Sequence, residues 1–540
     1  MSHVSQFLNR PSVKRALCLF TASGVMLGVT ACRLPALRAP DSATELPTTF
    51  NGSTNTENSA VLSIEEFFND PKLTGLVAQA TTGNQELKIL NEDIQIANYE
   101  VFSRRGSYLP AVSLGAGAGF EKSSRYTREG AVEDALTVAP DHAFPNPLPS
   151  FLLAANFTWQ VDIWRQFRNA RDSATLRYLG TAEGRNYTYT RLAAEIAEKY
   201  YELLALDQRL ETLNNTIKLQ EQSVEISKVR KDAARGNELP VQRFQAEVQK
   251  NQSEKFIVLQ DIVEAENRIN FLLGRYPQPV ERPGGDFVEL NLQALSLGVP
   301  AQLLQNRPDI RQAERELGAT GLDVKVAQAR FYPSLTIDSR IGYSAFSPRY
   351  LFTTPDAILA NLAGSLAAPL INRNAIEAEY LTANARQLQA VYNYQRVVLN
   401  AFTEVVNRVS MVENYRKSIE LKKEQLKTLK AAVENSTKLF QNARAEYIEV
   451  LTAQRDLMEA RMSIIDIKRK QLTAIVSTYQ ALGGGVILNP PAPTPAAPVG
   501  PPIRPPLPPD SKPLPAPNQV PAPLSPSAPK PNLLVIPLPR

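Results

Sequence analysis

Residues 391–440 read VYNYQRVVLNAFTEVVNRVSMVENYRKSIELKKEQLKTLKAAVENSTKLF, and their reading decides the fold. An apolar residue returns at every seventh position: Val391, Val398, Val405, Val412, Ile419, Leu426, Val433 and Phe440. A second series follows at Leu451, Met458, Ile465, Leu472 and Tyr479. A seven-residue period held this long specifies a left-handed coiled coil. From Leu370 to Leu482 there is neither Pro nor Gly, so nothing local punctuates a helix. One unbroken helix over that span would be about 170 Å long at ~1.5 Å per residue. The two series change phase between Phe440 and Leu451. The stretch therefore predicts a long antiparallel hairpin with its tip near Asn442.

Working outward, Ile64–Ala80 and Asn84–Tyr108 read as helices, the second stopped by Leu109-Pro110. The period then changes from near 3.6 to 2. Val112, Leu114, Ala116, Ala118 and Phe120 face one way; Ser113, Gly115, Gly117 and Gly119 face the other. Glu121–Pro149 reads as a long loop. Phe151, Leu153, Ala155, Phe157, Trp159 and Val161 then repeat the alternation. Both strands are about ten residues long, which suits a tilted crossing of hydrocarbon. The alternation alone fits a half-buried soluble sheet equally well. Arg171–Ala234 and Val241–Leu273 predict two helices around a break at Arg235-Gly236-Asn237-Glu238-Leu239-Pro240. A proline-broken connector occupies Tyr276–Pro300.

The second half repeats this order. Asn306–Phe331 is a helix stopped by Pro333, strands follow around Leu335–Tyr343 and Ile358–Ala368, and then comes the hairpin. An internal repeat of about 200 residues is a duplicated architecture, not a solenoid. Four strands cannot close a membrane barrel, since the smallest have about eight. An open edge in lipid leaves backbone groups unpaired. If these strands cross a membrane, several chains must share the barrel. The long helices carry Lys and Glu throughout and belong in water.

The two ends differ in composition from the rest. Arg10, Lys14 and Arg15 precede an uncharged run, Ala16–Ala31, with the length and flanks of a signal-peptide core. Val29-Thr30-Ala31-Cys32 resembles a bacterial lipobox, with cleavage before Cys32 and a lipid on its thiol. Removal of residues 1–31 takes the net charge from +5 to about +2 (5 − 3), which offers no electrostatic case for nucleic acid. Residues 32–61 read as a lipidated linker. Of the 41 prolines, 21 lie from Pro490 onward, so 489–540 is expected to be an extended tail outside any core.

The motifs Leu109-Pro110, Asn306-Arg307-Pro308-Asp309-Ile310, Phe331-Tyr332-Pro333-Ser334, Glu446-Tyr447-Ile448-Glu449-Val450-Leu451 and Ala481-Leu482-Gly483-Gly484-Gly485 come in a specific order. With the lipobox they resemble the TolC-like outer-membrane efflux family, in its lipidated branch, over roughly Leu62–Val486. The resemblance implies an α+β membrane protein with two internal repeats, 62–299 and 300–488. It implies a homotrimer in which each chain gives four strands to a 12-stranded β-barrel. Long coiled-coil helices would form a periplasmic α-barrel below it. The tips, Arg235, Gly236, Asn237 with Asn442, Ala443, Arg444, would meet a periplasmic adaptor joined to an inner-membrane transporter. Glu449 matches the family's acidic gate position, where three copies would form a cation-selecting ring; its first-half counterpart is Gln242. The family's tip glycine stands at Gly236, with Ala443 in its place in the second half.

No Cys pair, metal-ligand spacing or phosphate-binding loop marks a catalytic centre, so no enzymatic activity, cofactor or metal is expected. The favoured function is a passive outer-membrane duct for drugs or small molecules. Two alternatives remain: a duct for type I-like protein secretion, and a lipid-anchored periplasmic coiled-coil scaffold without a pore.

Overall fold

The computed structural model describes residues 34–42, 45–50, 57–139, 142–234, 236–292, 295–442 and 444–485. The expected tail 489–540, the expected signal segment 1–31 and Cys32 lie outside them. In chain order the elements are α1 (Ile64–Phe68), α2 (Pro71–Gly83), α3 (Gln85–Gly106), β1 (Ala111–Glu121), α4 (Arg128–Ala135), β2 (Thr137–Ala139), β3 (His142–Ala143) and β4 (Leu148–Val161). Then come α5 (Gln166–Asp232), α6 (Glu238–Leu272), α7 (Ala301–Asn306), α8 (Pro308–Ala329), β5 (Ser334–Ala345), β6 (Ile358–Ala367), α9 (Asn374–Gln441) and α10 (Tyr447–Ala481).

The duplication is visible in element lengths. Helices α5 and α6 have 67 and 35 residues, and α9 and α10 have 68 and 35. Each long helix extends about 100 Å at ~1.5 Å per residue. The heptad prediction holds: Val405, Ile419, Val433 and Phe440 are all buried, and the chain reverses after Gln441. Each strand-to-helix corner uses a left-handed residue, Arg165 (φ 59°) before α5 and Asn372 (φ 53°) before α9. At the first corner the Asp162 carboxylate accepts from the amides of Phe167 and Arg168, both at 3.0 Å, which satisfies two of the helix's open donors.

The strands form one antiparallel sheet in the order β1-β4-β5-β6. Its register puts the expected apolar residues on a single face. Leu114 lies opposite Ala155, Ala155 opposite Ile341, and Ile341 opposite Ala360. The other face carries Thr158 bonded to Asp338 at 3.0 Å and Arg340 bonded to Asn156 at 2.7 Å.

Below the sheet, α3 packs on α5, α5 on α8 and α8 on α9. Further along, α6 packs on α5, α5 on α10 and α10 on α9. The main core lies where α1 and α2 wrap this second layer. There Phe67, fully buried, stacks on Tyr479 at 3.9 Å, and the Tyr479 hydroxyl donates to the Leu62 carbonyl. Gly484 lies against the same ring, with a β-carbon on it landing 2.3 Å from the aromatic edge. Gly483 takes φ 90° and its amide bonds Gln480, so the triple glycine forms a helix cap and turn.

Two expectations need correction. The helix read as Ile64–Ala80 is two, broken at Asn69 (φ 47°) before Asp70-Pro71. Asp70 caps the second piece through the amides of Lys72 and Leu73, and proline is at home in a first turn but not inside a helix. The loop Glu121–Pro149 holds α4 and the β2–β3 pair. Thr127 caps α4, while Gly130 approaches the Ser124 carbonyl so closely that a β-carbon would sit 2.1 Å from its oxygen. Neither short element has enough residues to show a period.

Candidate functional site

Three places could carry function: the helical tips, the exposed face of α10 beside them, and the sheet with its N-terminal strap. At the first tip Asn237 is the N-cap of α6 and makes no side-chain cap bond. Lys231 and Glu238 pair across the turn at 2.5 Å. The left-handed residue is Ala234 (φ 55°), not the glycine, and a β-carbon on Gly236 would come no nearer than 3.9 Å to its neighbours. This turn does not depend on glycine. At the second tip Asn442 closes α9, its amide donating to the Lys438 carbonyl at 2.9 Å, and the Arg444 amide bonds the Leu439 carbonyl. Gly236, Asn237, Asn442 and Arg444 are exposed. Arg235 and Ala443 lie outside the described residues.

The two tips are joined. Phe244 of α6, Phe440 of α9 and Val450 and Leu451 of α10 form one buried apolar cluster. Arg230 of α5 closes it, donating to the Phe440 carbonyl at 2.7 Å with its guanidinium 4.4 Å from the centre of that ring. Phe440 is legible in the heptad series. Arg230 is not, because its partner is 210 positions away.

Glu449 sits in the first turn of α10, exposed, with no ion pair among the described residues. Thr452, Asp456 and Glu459 are exposed on the same side, while Val450, Gln454 and Leu457 are buried on the other. At about 100° per residue, Glu449 and Asp456 are about 20° apart around the axis. The face therefore carries three carboxylates, of which the sequence reading singled out one. Gln242 is exposed at the start of α6.

At the sheet, the outermost strands β1 and β6 are exposed almost throughout. Leu114, Phe120 and Leu362 are each more than three-quarters exposed on the apolar face. A large, continuous apolar face this open marks an interaction or membrane surface. Near the base, the Trp164 indole donates to the Pro333 carbonyl at 2.8 Å and its ring lies 4.7 Å from Tyr332. Leu34 packs beside Val324, Phe331 and Tyr380 at the same level. The strap then follows α9. Arg38 exchanges backbone bonds with the Asn384 side chain, Asp41 accepts from the Tyr392 hydroxyl, and Phe50 stacks on Phe402 at 5.4 Å. Arg38, Asp41 and Phe50 of the expected linker thus lie on the helix, whereas Asn58 and Ser59 pair with Leu297 and Ser296.

The profile of the family described as "Outer membrane efflux protein" matches residues 76–275 and 299–484. The chain belongs to that family. The two matched segments correspond to the two halves of this efflux-protein fold. Among relatives, the "Cation efflux system protein CusC" of Escherichia coli is 24% identical over 474 residues, covering 85% of this chain and 97% of its own. The "Probable outer membrane lipoprotein SilC" of Salmonella typhimurium is 22% identical over 448 residues, covering 82% of this chain and 93% of its own. The open-state structure of the Neisseria gonorrhoeae MtrE outer membrane channel superposes with a TM-score of 0.72 at 20% identity, covering 84% of this chain and 98% of that one. These likenesses place this efflux protein in the outer membrane, with the TolC-like fold.

Proposed function

We propose that three copies of this efflux protein close one duct, with a 12-stranded barrel in the outer membrane and a helical tunnel in the periplasm. The observation that carries this reading is the coincidence of open edges. β1 and β6 end the sheet, and α3 and α9 end the layer below it. The edge helix α3 exposes Ile89, Ile96, Tyr99 and Phe102, each between 62% and 68%. The far edge, α9, exposes Leu381 and Leu399. A water-exposed stripe of this kind is unusual on a finished helix. Joining α3 of one copy to α9 of the next repeats around a threefold axis and closes a ring. It also removes every strand edge from lipid.

The duct passes small solutes, a reading supported by the cation efflux system named among the relatives. It receives them through a periplasmic adaptor that meets the two tips and is joined to an inner-membrane transporter. Glu449 and the carboxylates beside it line the narrow end and favour cations. A lipid on Cys32 anchors the strap. The seat of Leu34 at the base of the sheet supports this reading, since two residues span at most about 7 Å.

Conductance of the purified protein in planar bilayers, with its mass in detergent, tests the assembly. Channel steps from a particle of three chains are expected, and Ile96→Asp at the α3 edge should abolish both. A monomer without conductance would leave only a scaffold. Intact-mass analysis of the mature N-terminus tests Cys32; an unmodified residue there removes the anchor from this reading.

A further inference from the structure

On the side of the helical layer that carries the coil 276–292, α5, α9 and α10 enclose a groove of about 530 Å³. Thr212 and Asn215 of α5 lie on one wall, Lys423, Lys427 and Lys430 of α9 on the other, and Arg461 of α10 between them. The groove is lined by four cations and two carboxylates, Asp286 and Glu289, a balance of +2 (4 − 2). Both carboxylates are already engaged. Asp286 accepts from the Val288 amide at 3.0 Å, and Glu289 pairs with Lys423 at 2.7 Å. Lys468, 4% exposed, lies close enough to add to the field at Lys423 and Glu289; its ammonium donates to the Asn291 amide oxygen at 3.3 Å.

Arg461 is the informative residue. It is half-buried and has no hydrogen bond or ion pair among the described residues. Burial draws its pKa down and no carboxylate pushes it back. Lys427 and Lys430 have no ion pair among the described residues either. A guanidinium half withdrawn from water with no counter-charge loses part of its hydration uncompensated, so a purely structural Arg461 would be expected to have an acidic neighbour. Arg311 shows that alternative in the same molecule, likewise half-buried and paired with Glu183 at 2.7 Å.

We infer that this groove is a binding site for a multivalent anion bearing two or more phosphate or carboxylate groups. Arg461 takes one group with its two-pronged fork. The lysine stripe from 423 to 430, about 10 Å long at ~1.5 Å per residue, takes the next. Asn215, exposed on the opposite wall, supplies further donors. Exposed Leu421 is nine residues from Lys430, about 180° around the helix, so the groove occupies one face of α9 and leaves the opposite face to other contacts. The inference does not depend on the protein being a channel, since binding is read on purified protein whether or not it conducts.

Calorimetric titration at low salt is the test, with tripolyphosphate in one arm and citrate in the other. Saturable binding of one anion per chain is expected. A response to tripolyphosphate alone identifies a phosphate ligand, and a response to citrate alone a carboxylate ligand. Arg461→Gln should weaken binding by about tenfold or more, as charge-assisted forks are the strong contacts. The double variant Lys427→Gln/Lys430→Gln should do the same, and it decides the matter if Arg461→Gln misfolds. Lys422→Gln, off the groove, should change affinity less than about twofold. No saturable binding in either arm, or equal weakening by Lys422→Gln, would overturn the site.

Discussion

The Arg230 guanidinium lies over the Phe440 ring at 4.4 Å while donating to the carbonyl of the same residue at 2.7 Å. One side chain from the first repeat thus holds the end of the longest helix of the second. Ring contact and hydrogen bond are each worth about 1 kcal/mol. Arg230→Ala should loosen the tips, increasing hydrogen exchange around Phe440 and Val450 and raising the resting conductance of the channel. Phe440→Leu should have the smaller effect, because the carbonyl acceptor remains. Unchanged exchange in Arg230→Ala would show that the cluster of Phe244, Val450 and Leu451 suffices.

Glu449→Gln should reduce cation preference and ease block by divalent cations, with little loss of stability, since the side chain is exposed and unpaired among the described residues. Asp456 and Glu459 share its face, so part of the preference should persist until they are neutralised too. Glu446→Gln is the control; it lies about 60° away around the helix at ~3.6 residues per turn. Reversal potentials under a salt gradient measure all three variants. No change in Glu449→Gln would return that residue to an ordinary solvated face.

Arg307 is 3% exposed and binds Asp309 at 2.7 Å, Glu404 at 3.0 Å and the Ala481 carbonyl at 2.7 Å. It ties the start of α8 to α9 and to the end of α10. Arg307→Ala leaves two partly exposed carboxylates without their shared cation, a loss toward the lower end of the about 3–5 kcal/mol that breaking a buried pair costs. Loss of folded protein or a large drop in Tm is expected. Arg307→Lys should rescue little, because one ammonium cannot reproduce the forked geometry.

The glycines of the sheet are not equivalent. A β-carbon on Gly342 would meet the Leu153 carbonyl at 2.2 Å, whereas one on Gly117 or Gly364 meets nothing within 4 Å. Gly342→Ala should cost about 1–3 kcal/mol by overpacking. Gly117→Ala and Gly364→Ala should be tolerated. Thermal stability of the detergent-solubilised protein separates them.

Glu198 accepts from the Ser477 hydroxyl at 2.7 Å, yet burial raises its carboxyl pKa above the model-compound value of 4.5. Below 4.5 the group is neutral folded or unfolded and costs nothing. As pH rises further, the unfolded chain releases a proton that the folded chain retains, so stability falls until the folded group also ionises. Glu198→Gln keeps the acceptor and removes the titration. Its Tm should match the parent in acid and exceed it at neutral pH; equal values throughout would remove the burial cost.

What the sequence made legible follows from the range of each interaction. Val405, Ile419 and Val433 announce their helix because burial recurs every seven residues along one element. The alternation through Val112–Phe120 and Phe151–Val161 gave the strands and their two faces in the same way. Arg307 was visible only as part of a motif, because its partners Glu404 and Ala481 are 97 and 174 positions away. The same distance concealed Arg230. Gly236 drew attention as a turn residue, but the turn's left-handed position is Ala234. The small elements between Glu121 and Pro149 rest on one threonine cap and one close glycine contact.

The open edges of β1 and β6 bear on inheritance as well as architecture. In the proposed trimer every chain must offer a sound edge to each of two neighbours. A cell making equal amounts of normal and edge-defective chains would assemble fully normal rings in only about one case in eight, since three independent draws must succeed. A lesion at Ile96 or along β6 should therefore behave as dominant, suppressing export even with an intact copy of the gene present. A lesion confined to the buried Arg307 should be recessive, because a chain that never folds is never counted in the draw.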